Sequence, residues 1–236
     1  MPADTDALLA RCNFRLSRRA RYLRITVSRN GEITVTRPAH VSRGEAIAFA
    51  RSRHAWIARQ LTKIHPPEPA TPPAQLQLRL TAETLPVSYV DTPQHVARLR
   101  EASGQLELHF DHKHPEQGRD LLRQWLKRRA RSTLEPHLRT LSTQTSLPCN
   151  RLSVRLQRTR WGSCSARRDI SLNAKLLFLP EALVRHVLIH ELAHTVHLNH
   201  SPAFWRLVEQ YDPRWRSHRR ALHDAAPLIP AWLDQR

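Results

Sequence analysis

His190-Glu191-Leu192-Ala193-His194, followed by Asn199-His200-Ser201-Pro202, is the stretch on which the reading of this chain turns. Two histidines four apart on a helix project from one face, one turn apart. Their imidazoles can then hold one zinc ion at about 2.0–2.1 Å each. Glu191 is not needed as a ligand and suits a general base that takes a proton from the attacking water. Three protein ligands leave a coordination position open, as catalytic zinc requires, whereas structural zinc closes its shell, usually with cysteines.

The third ligand needs its own argument. On a continuing helix His197 shares the face of His190 and His194, but lies about 10.5 Å from His190 along the axis at 1.5 Å per residue. One ion cannot span that, so the chain must leave the helix and turn back. Asn199 tolerates the left-handed backbone expected of such a turn. His200 follows, and Ser201-Pro202 reads as the N-cap and first position of a new helix. His200 is therefore the expected third ligand, with Glu209 on the following helix as runner-up. Val184, Val187, Leu188, Leu192 and Val196 give the metal-binding helix a core-facing side. His186 is expected on the helix surface or supporting the ligands. His197 is expected as an ordinary helix-end residue or one that orients the site.

Further motifs surround this stretch. Arg160-Trp161-Gly162-Ser163-Cys164-Ser165 comes first, then Ile170-Ser171-Leu172-Asn173, then His190–His194, then Asn199-His200-Ser201-Pro202-Ala203-Phe204-Trp205. In this combination the chain resembles the YgjP-like family of bacterial zinc metallopeptidases, itself akin to the SprT-like and WLM-type proteases. The resemblance runs from Phe14 to Trp215 and is strongest from Arg160 onward. It implies zinc at His190, His194 and His200, and a catalytic Glu191. It supplies no physiological substrate. Metzincins share the three-histidine spacing but place glycine where this chain has His197 and add a methionine turn. The one methionine here is Met1, so that class is excluded.

No long apolar run follows the acidic start Met1-Pro2-Ala3-Asp4-Thr5-Asp6, so neither a signal peptide nor a membrane span is expected. Cys12, Cys149 and Cys164 are odd in number and widely spaced, which is no disulfide framework and points to a reducing, cytoplasmic setting. The formal net charge is +18. Such a field attracts nucleic acid, anionic membrane or acidic protein segments, which makes nucleic acid a candidate partner.

The expected class is α+β: a mostly β N-terminal half, then a compact helical zincin-like half with a small sheet. Residues 13–115 form the first region and 116–226 the metallopeptidase region, or one domain spans 14–226. Leu23, Ile25 and Val27, then Asn30-Gly31, then Ile33 and Val35 predict a hairpin with a tight turn. Ser42 with Glu45 forms a capping box opening a helix through Ile47, Phe49, Trp56, Ile57 and Leu61. Residues 65–74 hold five prolines and read as a linker. Alternation at Leu76, Leu78 and Leu80, and at Leu106, Leu108 and Phe110, predicts strands. Gly118 to Leu141 reads as a long helix that Pro136 kinks or divides. Lys127, Arg128, Arg129 and Arg131 on it form a basic face, solvated or touching phosphate. Val154 and Leu156 suggest a strand, Ile170 to Phe178 another, and Pro180 opens the helix that leads to His190.

These residues predict hydrolysis of peptide bonds, with a peptide or protein as substrate. Arg160, His197 and Tyr211 are the candidates for stabilising the developing oxyanion. Asn173 is a candidate substrate contact, because an extended peptide could add to the edge of the Ile170–Asn173 strand. Trp161-Gly162-Ser163-Cys164 is expected to be a loop shaping the cleft rather than the source of a nucleophile. Two other classes compete: a nucleic-acid-associated protein with structural zinc, and a zinc-dependent amidase acting on non-peptide substrates.

Overall fold

The computed structural model describes residues 2–28, 31–62, 73–93 and 96–233. The chain divides into two units, Met1–Pro69 and Ala70–Arg236. In the first, helix α1 (Pro2–Ala10) precedes strands β1 (Cys12–Leu16), β2 (Arg24–Val27) and β3 (Ile33–Arg37). The predicted hairpin is β2 paired antiparallel with β3, and β1 joins the other edge of β3 in parallel. Gly31 has φ +78°, where a side chain would be strained; Asn30 lies outside the described residues.

The capping box forms as expected. Glu45 N–H donates to Ser42 Oγ at 3.1 Å, and Ser42 N–H donates to the Glu45 carboxylate at 2.8 Å. It opens α2 (Arg43–Ser52), but the expected single helix is two, because α3 (His54–Thr62) begins after a break at Arg53. Arg53, at φ −107° and ψ 11°, is out of helical geometry, and its N–H turns to the carbonyls of Ala50 and Arg51. Val35 packs with Ala46 and Ala50 beneath this pair. The proline-rich segment falls mostly outside the described residues.

The second unit opens with β4 (Gln75–Leu78), β5 (Glu83–Asp91), β6 (Arg98–Ala102) and β7 (Gln105–Phe110), in sheet order β4-β5-β7-β6. Leu76, Leu78, Leu85, Val87, Leu106, Leu108 and Phe110 form its buried face, at the alternate positions a strand demands. Against it lies α4 (Pro115–Thr145), which buries Leu122, Trp125, Leu126, Ala130, Leu134, Leu138 and Leu141. Each buried leucine among them contributes about 1.5–3 kcal/mol relative to exposure. Pro136 sits inside α4 without dividing it. Pro136 and Ser132 are both exposed, so water can solvate the carbonyl that a proline four residues on leaves without a donor.

Three strands follow: β8 (Leu152–Arg155), β9 (Gly162–Cys164) and β10 (Ile170–Asn173), in order β8-β10-β9. The strand expected to run to Phe178 stops at Asn173. That residue caps a 3-10 turn over Ala174–Phe178 by accepting from Lys175 N–H. Then come α5 (Glu181–Ala193), α6 (Pro202–Tyr211) and α7 (Trp215–His223). The fold is α+β, strand-rich in its N-terminal half and helical in its C-terminal half. Among the described residues, no helix is long and apolar enough to cross a membrane.

Candidate metal centre

Helix α5 begins beside Pro180, as expected, and carries His190 and His194 to its C-terminal end. It ends sooner than a continuing helix would. Thr195 N–H donates to Leu192 O, and both Val196 and His197 N–H donate to Ala193 O, closing the helix in a tight turn. His197 is therefore past the helix rather than on its face. Val196 is 53% exposed instead of core-facing. Nor is Asn199 left-handed; among the described residues the non-glycine positive φ values belong to Ala82, Ser103, Ser146 and Arg168. The return is made by stopping α5 early, and Ser201, accepting from Phe204 N–H, starts α6.

His200 thereby meets the helix histidines. The ring centroids are 4.9 Å apart for His190–His194, 5.0 Å for His190–His200 and 4.7 Å for His194–His200. The Nε2 atoms of His190 and His200 are 3.1 Å apart. Two ligands on one tetrahedral ion with arms of 2.0–2.1 Å would be separated by about 3.3 Å, so this donor set fits a single metal. His194 turns its Nδ1 to the carbonyl of His197 at 2.9 Å, which directs Nε2 inward. His197 thus supports the site through its backbone. Burial, then the imidazoles of His194 and His200, push His190 down to about 3, keeping it neutral as a ligand must be. Glu209 does not join them: its carboxylate pairs with Arg216 at 2.7 Å.

Glu191 is 5% exposed. Burial pushes its carboxyl up to about 8, against the pull of the Arg160 guanidinium. Its Oε2 has no hydrogen-bond partner among the described residues. Gly162 lies against this carboxylate: a Cβ there would stand 2.6 Å from Glu191 Oε1 and 2.7 Å from Cγ. The expected loop around Gly162 is in fact the edge strand β9. Asn173 N–H donates to Trp161 O, and Ser165 N–H to Asp169 O, so alternate residues bond inward to β10. Gly162 and Cys164 consequently turn their backbone groups to the open edge.

The Ile170–Asn173 strand itself is central, flanked by β8 and β9, and has no free edge for a peptide. Asn173 is buried and its Nδ2 donates to the carbonyls of Gln157 and Arg160, both at 2.8 Å. It shapes the loop before β9. Tyr211 Oη donates to Thr145 O at 2.9 Å, at the end of α4. Burial, then the charge of Glu191, pushes Cys164 up to about 11, which keeps this thiol protonated and poorly nucleophilic.

Of its two expected places His186 takes the one beside the ligands rather than the helix surface, its ring 6.2 Å from that of His190. His186 is neither exposed nor part of the metal set; it is buried, with Nδ1 2.6 Å from Asp212 Oδ2. His218 Nδ1 reaches the same oxygen at 3.0 Å. Trp205 stacks on His200 at 5.5 Å, with 22° between the planes. Trp205 closes the Asn199–Trp205 motif that carries the family resemblance, but no local pattern links Asp212 to His186.

No curated protein and no solved structure matches the chain. The family description "YgjP-like, metallopeptidase domain" matches residues 21–225, which takes in every residue of this centre. The chain belongs to the YgjP-like metallopeptidase family.

Proposed function

We propose that the chain is a zinc-dependent metallopeptidase with Glu191 as general base. The observation that carries this reading is the convergence of three imidazoles beside a buried carboxylate whose Oε2 has no partner among the described residues. Zinc, held by His190, His194 and His200, would supply Lewis-acid polarisation of the scissile carbonyl and acidify a water. Glu191 accepts the proton of the attacking water and returns it to the leaving amine. The open edge of β9 aligns an extended substrate through the N–H and C=O groups of Gly162 and Cys164. Arg160, whose charge already acts on Glu191, is the favoured oxyanion partner.

Metal content of His200→Ala and Glu209→Ala, with hydrolysis of an unfolded protein by the zinc-loaded and chelated parent, tests this. Zinc is expected to be lost in the first variant and kept in the second. Zinc-dependent cleavage of simple amides without cleavage of peptides would instead favour the amidase reading.

The charge supports a second, separate proposal: that nucleic acid gathers substrates. Lys127, Arg128 and Arg131 line one groove on α4, beside Val154 of β8. Duplex DNA binding should then weaken with salt at a slope of about −0.9 per phosphate contact. No binding at about 50 mM salt would sink this proposal and the structural-zinc alternative with it.

A further inference from the structure

Helix α7 places two arginines three residues apart, Arg216 and Arg219, over a stacked pair of tryptophans. Trp205 and Trp215 are 4.2 Å apart with 16° between their planes, and Trp205 also stacks on His200. The result is a ladder of rings leading away from the metal ligands. Arg216 lies over Trp215, its Cζ 4.5 Å from the ring centre, and Glu209 neutralises it at 2.7 Å. Arg219 lies over Trp205, with Cζ at 5.2 Å. Arg219 is exposed and has no carboxylate partner among the described residues. One cation of the pair is thus neutralised and the other, one ring from His200, is not.

A guanidinium without a carboxylate partner, beside three imidazoles that would hold a dication, faces like charge on that side. Its natural complement is an anion that arrives with the substrate. A planar guanidinium held on an indole face keeps its fork of donors open for a carboxylate. We infer that Arg219 is a specificity-determining residue that binds a carboxylate of the peptide substrate, from an Asp or Glu side chain or from a free C-terminus. This rests on the metallopeptidase reading.

The test uses the zinc-loaded Glu191→Gln chain, which can hold peptide without cleaving it. Labelled peptides are compared in matched pairs: Glu against Gln at each position, and free against amidated C-terminus. Affinity is read by fluorescence anisotropy. The carboxylate member of one pair is expected to bind roughly tenfold tighter, as a charge-assisted bidentate contact allows. That preference should vanish in Arg219→Gln and survive in part in Arg219→Lys. The pair that responds identifies the source of the carboxylate. Equal binding of acid and amide with Arg219 present, or a preference that persists in Arg219→Gln, overturns the inference and leaves the metallopeptidase reading standing. Failure of every peptide to bind, with no hydrolysis by the parent, overturns both.

Discussion

His186 and His190 stand one turn apart on α5, yet they belong to clusters of opposite character. Around His190 three imidazoles converge with no carboxylate among them, two of their Nε2 atoms 3.1 Å apart. Those two nitrogens can share at most one proton, whereas a metal ion would satisfy all three rings. Around His186 the cluster contains its own anion: Asp212 Oδ2 accepts from His186 at 2.6 Å and from His218 at 3.0 Å. Those distances are hydrogen bonds, shorter in the first case than two ligands on one ion would stand. The first cluster is half open, with His200 exposed; in the second, His186 and Asp212 are 3% and 4% exposed. Residue type does not distinguish a metal site from a structural one here. What distinguishes them is whether the polar groups already satisfy one another.

The largest effect that can break this comparison is on metal content. A His190→Ala/His194→Ala double variant should retain no zinc, from one equivalent per chain in the parent, by elemental analysis. An equivalent that survived would place a metal at Asp212 and erase the distinction. Next comes Glu191→Gln, which should keep its zinc and melting temperature but lose a factor of about 10² to 10⁴ in turnover of an unfolded protein. Unchanged turnover would remove Glu191 from the chemistry.

A smaller effect is expected at Gly162. Its missing side chain is what admits Glu191, because a Cβ would stand within 3 Å of three atoms of that side chain. Gly162→Ala must displace either β9 or Glu191. A shift of about 1 Å in a reacting group costs on the order of 10²-fold in rate. Zinc should stay bound, since the three atoms nearest such a Cβ all belong to Glu191. Loss of zinc together with activity would mean that the substitution acts on the fold and not on the base.

How much of this is legible in the sequence follows the range of each interaction. The capping box at Ser42 and Glu45, the alternation of Leu76 and Leu78, and the pair His190 and His194 are local patterns, and each is found where its spacing puts it. His200 follows from a length argument that holds although its backbone detail does not. The chain turns because α5 stops at Ala193, not because Asn199 is left-handed. Gly162 against Glu191 and Asp212 against His186 join distant segments and leave no period to read. The strand reading of Ile170–Phe178 fails for a related reason. Apolar content alone cannot tell a central strand from the buried 3-10 turn that succeeds it.

The smallest effect concerns the satisfied cluster itself. Burial pushes Asp212 up, but the hydrogen bonds and charges of His218 and His186 outweigh this and hold it below its ordinary value of 3.8. A carboxylate with a depressed folded-state value stabilises the fold above the unfolded value and loses that contribution as pH falls through the folded one. Asp212→Asn should therefore lower stability by about 2–3 kcal/mol at neutral pH, the scale of two hydrogen bonds to a buried charge. The gap between parent and variant should be constant above about pH 5 and narrow towards pH 3. Denaturant unfolding at a series of pH values measures it. Zinc stoichiometry should not change, although affinity can fall by about tenfold because α5 loses its anchor to α7. A gap that widened on acidification would mean that Asp212 is protonated in the folded protein. The cluster would then be no ion-paired clamp, and the contrast with the His190 site would have to rest on burial alone.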